Sequence, residues 1–275
     1  MRAFGTLLPT GFERSDRSRA LAERLARVES RNITDLRDVP PFWTRARAAN
    51  VEDADGNVFL DFGGAFGVSL AGHGHPFVRE AIHRQTDLLL HGMGDIHPPR
   101  VKVELLEALV DLAPWADSRA ILGTSGSDAV EGALKTAQLV TGRPGILAFE
   151  GSYHGLALGA LAATHRNHFR TPFVERLTDH VHFVPFPSDG DRALAAADRT
   201  LAAGTTGAVI VEPIQGRGGV KIPPPGFLNR LLDLAHHHGA LVIFDEIFTG
   251  LGRTGRLFAG DWDGVRPDII CLGKA

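Results

Sequence analysis

The sequence predicts an α/β protein built on a mostly parallel β-sheet with crossover helices, and three observations carry that prediction. From about residue 120, short β-rich runs (AILGT, GILAFE, HVHFVPF, AVIVEP, LVIFDE and DIICLG) alternate with segments of helical periodicity. That alternation is the pattern of parallel strands joined through helices. Several runs end in polar residues, namely Ser125, Glu150, Glu212, Asp245 and Lys274, and the carboxyl edge of an open α/β sheet is where ligands sit. Finally, 275 residues of which 44% are hydrophobic suffice for one large core, or one core and a smaller unit.

Composition narrows the partners. A formal net charge of -3 provides no basic field for nucleic acid, so small molecules and other subunits are the expected partners. No stretch of about 18 apolar residues runs without charge, and the amino terminus has no signal-peptide core. A cytoplasmic protein with no membrane association is therefore expected. The single cysteine, Cys271, excludes an intrachain disulfide and reads as a small buried residue of a strand.

The elements follow in order. Residues 16 to 30 place Leu21, Leu25 and Val28 on one stripe of an amphipathic helix. After the Pro40-Pro41 breaker, ARAANVEDADGNVFLDF reads as two short strands joined by a turn at Asp55, Gly56 and Asn57. HPFVREAIHRQTDLLL and VKVELLEALVDLA carry helical periodicity. In LGTSGSDAVEGALKTAQLV, a strand enters a glycine-containing turn and then a helix with Ala129, Val130, Ala133, Leu134 and Ala137 on its apolar face.

Three features of this sheet edge bear on chemistry. The turn Ser125-Gly126-Ser127 offers backbone N–H groups, two hydroxyls and a helix dipole, which suit a phosphate. The plainer reading is a helix cap supplied by Ser127 or Asp128. Asp245 ends an apolar strand, where a carboxylate is costly to bury alone; a cationic partner such as a protonated ring nitrogen would keep it ionised. Lys274 stands where the last strand meets a loop. Pyridoxal phosphate needs those three groups: a lysine amine for a Schiff base, a carboxylate for the pyridine nitrogen, and a helix terminus for the phosphate.

The motifs DADGNVFLDFGGAFGVSLAGHGHP, TSGSDAVEGALKTA, FEGSYHG, VEPIQGRGG, FDEIFTGLGRTG and PDIICLGKA, in this order, resemble the class III aminotransferases among the fold type I pyridoxal-phosphate enzymes. The resemblance implies that Lys274 is the Schiff-base lysine and catalytic base, that Asp245 pairs with the pyridinium, and that Ser125, Gly126 and Ser127 form the phosphate turn. It further implies that Tyr153 and Ile247 cover the two ring faces, that Glu212 is a carboxylate near the ring, and that His154 lies beside the cofactor. It places Phe42 and Trp43 in the substrate pocket and implies a homodimer.

Departures from the family pattern concern the substrate. Leu156 stands where members that use 2-oxoglutarate commonly have an arginine, Arg217 where they often have a glutamate, and Phe248 where a glutamine is common. Arg217 is thus a candidate for a relocated carboxylate clamp. His236, His237 and His238 are not expected to bind metal, because consecutive helical side chains diverge. The family also continues past GKA into a further strand and a small domain. The resemblance therefore implies that residues 1–60 belong to the small domain, that 61–275 form an incomplete cofactor-binding large domain, and that the carboxyl-terminal small domain is absent.

The activity implied is transamination between an amine or ω-amino acid donor, with 4-aminobutyrate-like chemistry one candidate, and a keto acid or aldehyde acceptor. The alternatives are a racemase, aminomutase or lyase of the same fold, or a catalytically silent truncated product.

Overall fold

The computed structural model describes residues 15–31, 33–187 and 190–274; the terminal alanine of the GKA motif lies outside them. The chain divides into two compact units, one ending at Pro99 and one spanning Arg100–Lys274. The first unit thus runs beyond residue 60, where the amino-terminal part was expected to end.

In the first unit, helix α1 (Asp16–Val28) is capped by the Ser15 side chain, which accepts from the Arg17 N–H. Its buried stripe is centred on Ser18 and Ala22, with Leu21 and Leu25 half-buried, while Val28 is exposed. The expected apolar stripe is therefore displaced, because the last turn of the helix carries Val28 away from the packed face. Strands β1 (Trp43–Arg47), β2 (Asn50–Asp53) and β3 (Val58–Leu60) form an antiparallel meander. The Asp53 carboxylate fixes the β2–β3 turn by accepting from the N–H groups of Asp55 at 3.0 Å and Asn57 at 2.9 Å. Gly56 takes the left-handed conformation there, at φ 85°. Helix α2 (Pro76–Leu88) closes this unit, with proline in its first turn as the fixed φ of proline favours.

The second unit opens with α3 (Arg100–Leu112) and is organised by α4 (Gly126–Thr141), β4 (Gly145–Phe149), α5 (Leu158–Ala163), β5 (Val181–Val184), α6 (Gly190–Leu201), β6 (Thr206–Val211), α7 (Phe227–His237), β7 (Leu241–Asp245) and β8 (Ile269–Cys271). The five strands make one all-parallel sheet in the order β5-β4-β6-β7-β8. Alternate side chains split the core between its faces. Leu147, Phe149, Val209, Val211, Val242 and Phe244 pack against α6 and α7; Ala148, Ile210, Ile243 and Cys271 pack against α4 and α5. Burial on both faces is why these strands read as continuous apolar runs.

The run AILGT, expected to be a strand, is not one: residues 120–124 form no ladder, and Ile121 and Leu122 are exposed. Apolar content alone does not make a strand; a neighbour must take its N–H and C=O groups, and no described segment lies alongside to do so. The apolar face of α4 is as expected, with Val130, Ala133, Leu134 and Ala137 buried. Cys271 is buried, and burial raises its thiol pKa well above the ordinary range. No helix among the described residues is long and apolar enough to cross a membrane.

Candidate active site

The carboxyl ends of β4, β6, β7 and β8 and the amino end of α4 carry the polar residues singled out above. Asp245 ends β7 with its carboxylate almost wholly buried. Its Oδ2 lies 2.7 Å from Nδ1 of His154, and its Oδ1 accepts from the Ile247 N–H at 3.1 Å. The His154 ring is fully enclosed, and its Nε2 has no hydrogen-bond partner. Burial pulls the His154 pKa down, but the hydrogen bond and charge of Asp245, helped by Glu212, outweigh it and leave the imidazole above its ordinary value. The backbone of His154 is fixed by its N–H, which donates to Thr164 Oγ1 at 2.9 Å. Thr164 follows α5, so that helix sets the direction from which the ring approaches β7.

Glu212 follows β6 and ties two loops together. Its Oε2 accepts from the Tyr153 N–H at 3.1 Å and its Oε1 from the Gly216 N–H at 3.2 Å. Burial, reinforced by Asp245 and opposed by His154, pushes its pKa up to about 7. Gln215 adds a second tie, its Nε2 donating to the Glu150 carbonyl at 2.9 Å.

At the start of α4 the cap is Ser125, whose Oγ accepts from the Asp128 N–H at 3.1 Å. The capping residue is therefore neither Ser127 nor Asp128, because Ser125 is the last residue with extended backbone before the helix. Ser127 instead accepts from the N–H groups of Leu156 at 3.1 Å and Ala157 at 2.9 Å, joining α4 to the turn after His154. Gly126 is required by close approach: a Cβ there would fall 2.8 Å from Cδ1 of Ile247. A Cβ on Gly273 would fall 3.3 Å from Cγ2 of the same isoleucine. Ile247 thus touches both the glycine of the candidate phosphate turn and the glycine that precedes Lys274.

Lys274 adopts a left-handed backbone conformation, φ 51°, which is strained for a residue with a Cβ. Its Nζ lies 5.7 Å from the centroid of the Phe248 ring. Burial, with a contribution from Arg217, lowers its pKa below the ordinary lysine value, while Asp245 and Glu212 oppose the shift. A larger fraction of the amine is thereby neutral and nucleophilic. Tyr153 stands edge-on to Phe169, ring centroids 5.5 Å apart, and the Arg217 guanidinium lies 4.4 Å over the tyrosine ring.

The second unit therefore brings Ser125, Gly126, Ser127, Tyr153, His154, Glu212, Asp245, Ile247 and Lys274 to the ends of neighbouring elements. Phe42 and Trp43 belong to the first unit, where the Trp43 ring stands edge-on to His73 at 5.9 Å. Of the three consecutive histidines, His236 bonds Asp268 at 2.9 Å and His238 bonds Asp198 at 2.7 Å, while the His237 and His238 rings meet edge to face at 5.1 Å rather than diverging. No cluster with metal-ligand character exists among the described residues.

These residues fit pyridoxal phosphate by their chemistry. A buried carboxylate with a histidine behind it suits a ring nitrogen, a half-buried amine of lowered pKa suits a Schiff base, and the amino end of the 16-residue helix α4 suits a phosphate. An all-parallel α/β sheet with this arrangement at its carboxyl edge defines a fold type I pyridoxal-phosphate enzyme.

The chain belongs to the class-III aminotransferase family, whose family model matches residues 34–275, and pyridoxal 5'-phosphate is its cofactor. It is 40% identical over 226 residues to the acetylornithine aminotransferase of Methanopyrus kandleri, a match covering 82% of this chain and 56% of that protein. It is 34% identical over 280 residues to the alanine/serine racemase of Pyrococcus horikoshii, covering 94% of this chain and 59% of that one. Among solved structures, the taurine:2-oxoglutarate aminotransferase of Bifidobacterium kashiwanohense, in complex with PLP and glutamate, superposes with TM-score 0.87 at 26% identity, covering 96% of this chain and 63% of that chain. The chain spans a little more than half the length of these curated relatives.

Two features of the site are not legible in the sequence. The family resemblance implies a place beside the cofactor for His154, but not its pairing with Asp245. Phe169, which stands edge-on to Tyr153, belongs to none of the family motifs. The FEGSYHG motif signals the place of His154 in the site but not its partner; for Phe169 the sequence offers no signal.

Proposed function

We propose that this chain is the cofactor-binding part of an aminotransferase that moves an amino group from a small-molecule amine or ω-amino acid to a keto acid or aldehyde. The donor leaves as a carbonyl compound and the acceptor carbonyl becomes an amine, so no external oxidant is needed. The observation that carries this reading is the buried Asp245–His154 pair on the same sheet edge as the pKa-lowered amine of Lys274. When bound, pyridoxal phosphate supplies an electron sink for a bond broken at the amino-bearing carbon.

In this reading Asp245 holds the ring nitrogen, and the start of α4 holds the phosphate through Gly126, Ser125 and Ser127. Tyr153 and Ile247 flank the ring, while Glu212 keeps the Tyr153 loop in place. The Lys274 amine attaches the cofactor and carries a proton to and from the substrate carbon. A homodimer working in the cytoplasm completes the proposal, and the exposed apolar residues Val101, Val103 and Leu105 of α3 support a second copy.

The relatives act, by name, on acetylornithine and taurine, which favours a donor whose amino group lies far from an acidic group; 4-aminobutyrate is one such donor. The test is nitrogen transfer by the complete polypeptide, loaded with cofactor, from a panel of ω-amino acids and amines to 2-oxo acids and aldehydes. Transfer from at least one donor is expected; its absence across the panel overturns the reading. A second reading, racemisation, is favoured by the likeness to the alanine/serine racemase. Loss of optical activity from a chiral amino acid without any acceptor would establish it instead.

A further inference from the structure

We propose that Arg217 is the specificity-determining residue of this site, receiving a carboxylate of the substrate on the aromatic corner formed by Tyr153 and Phe169. This rests on the aminotransferase reading and names the substrate class of the same site.

The argument begins with position. The Arg217 guanidinium lies 4.4 Å from the Tyr153 ring centroid and 5.5 Å from that of Phe169, whose rings meet edge to face. Such a corner holds the planar cation by cation–π attraction, and recognition of a carboxylate uses N–H groups in the guanidinium plane, so the two contacts are compatible. The backbone beneath is fixed as well. The Arg217 carbonyl accepts from Arg166 Nη1 at 2.6 Å, Gly216 N–H donates to Glu212, and Gln215 pairs with Lys221 as an isolated bridge. A side chain already seated and on a pinned loop loses less entropy when it binds an anion.

The loop that carries Arg217 also reaches the ring beneath the Lys274 amine. A Cβ on Gly216 would fall 2.9 Å from Cδ1 of Phe248, so the Arg217 loop packs on the ring that underlies Lys274 Nζ. Burial is the main cause of the lowered Lys274 pKa, and the charge of Arg217 adds to it. An anion placed between them would be attracted by both. The chain offers nothing equivalent at Leu156, whose apolar and half-exposed side chain follows the turn that Ser127 anchors.

Glutarate, which has neither an amino nor a keto group, probes this site without turnover. Calorimetric titration of the complete, cofactor-loaded protein should show glutarate binding that weakens about 10- to 100-fold in Arg217→Gln. Arg217→Lys, which keeps the charge but loses the planar fork, should recover part of that loss. In turnover, the ratio of kcat/KM for carboxylate-bearing over neutral substrates should fall in Arg217→Gln by a similar factor, on the acceptor side (2-oxo acid over aldehyde) or on the donor side (ω-amino acid over amine). A fall with acid acceptors alone places the carboxylate on the acceptor, and a fall with carboxylate-bearing donors alone places it on the donor. Equal glutarate affinity in wild type and Arg217→Gln overturns the proposal, as does a preference for carboxylate-bearing over neutral substrates that is unchanged for acceptors and donors alike. Glutarate binding that depends on Arg217 in a protein without amino transfer would leave this inference standing and remove the aminotransferase reading.

Discussion

Nδ1 of His154 and Oδ2 of Asp245 lie 2.7 Å apart across 91 residues of sequence, and both side chains are buried. The carboxylate also accepts from the backbone N–H of Ile247. Removing the imidazole would strand a buried carboxylate, a change that costs about 3 to 5 kcal/mol in buried pairs. His154→Ala should therefore lower unfolding free energy in urea by roughly that amount and weaken cofactor binding. His154→Gln, which restores a donor, should regain part of both. Equal stability of His154→Ala and wild type would show that the pair does not hold Asp245.

Ile247 couples the two ends of the site. It was expected to cover a ring face, and it also meets Gly126 and Gly273. Gly126→Ala puts a methyl 2.8 Å from Ile247 Cδ1, and such overpacking typically costs about 1 to 3 kcal/mol. The contact is with the far end of a side chain, so trimming that side chain should relieve it. The expected outcome is weaker cofactor affinity and lower stability in Gly126→Ala, with partial recovery in Gly126→Ala/Ile247→Val. A double-mutant cycle measures the coupling; strictly additive effects would mean that the two residues act separately.

Lys274 should be the point of covalent attachment. Lys274→Ala is expected to release cofactor on dialysis and to lower amino transfer by about a thousandfold or more, the scale of a lost nucleophile and base. Borohydride treatment of the wild type followed by peptide mass spectrometry should place the cofactor mass on Lys274. Mass addition that survives in Lys274→Ala would assign the attachment elsewhere.

The strands of the sheet were legible because burial on both faces imposes continuous apolar runs, as in β6, where all six residues are buried. The same logic misread residues 120–124, since a run of apolar residues does not reveal whether a neighbouring strand exists. Asp245 and Lys274 could be picked out by their place at strand ends. The His154–Asp245 pair could not, because no local pattern encodes a contact between residues so far apart. Glu246 was also passed over. It is wholly buried, accepting from Thr249 Oγ1 at 2.6 Å, Ala259 N–H at 2.9 Å and Gly260 N–H at 3.0 Å. Two adjacent acids after one strand look alike in sequence, yet one faces the site and the other closes the 246–260 loop, because successive side chains point in opposite directions.

Glu212 sets a pH dependence whose sign follows from its environment. Burial raises its pKa from an ordinary 4.5 to about 7. Between those values the native state binds a proton that the unfolded chain has released. Its contribution to stability is therefore fully present below about pH 4.5 and is lost as pH rises through about 7, amounting to about 3 kcal/mol across the window. His154, also raised, slopes the same way: its contribution is present below its ordinary 6.5 and is lost above its folded value. Glu212→Gln removes the first slope and leaves the second. The amide offers one acceptor where the carboxyl serves both Tyr153 and Gly216, so an offset of about 1 kcal/mol at low pH accompanies the flattening. Urea unfolding of the cofactor-free protein from pH 5 to pH 7.5 should show wild-type stability falling more steeply than that of Glu212→Gln. Parallel curves for the two proteins would mean that Glu212 titrates in the folded protein as it does in the unfolded chain.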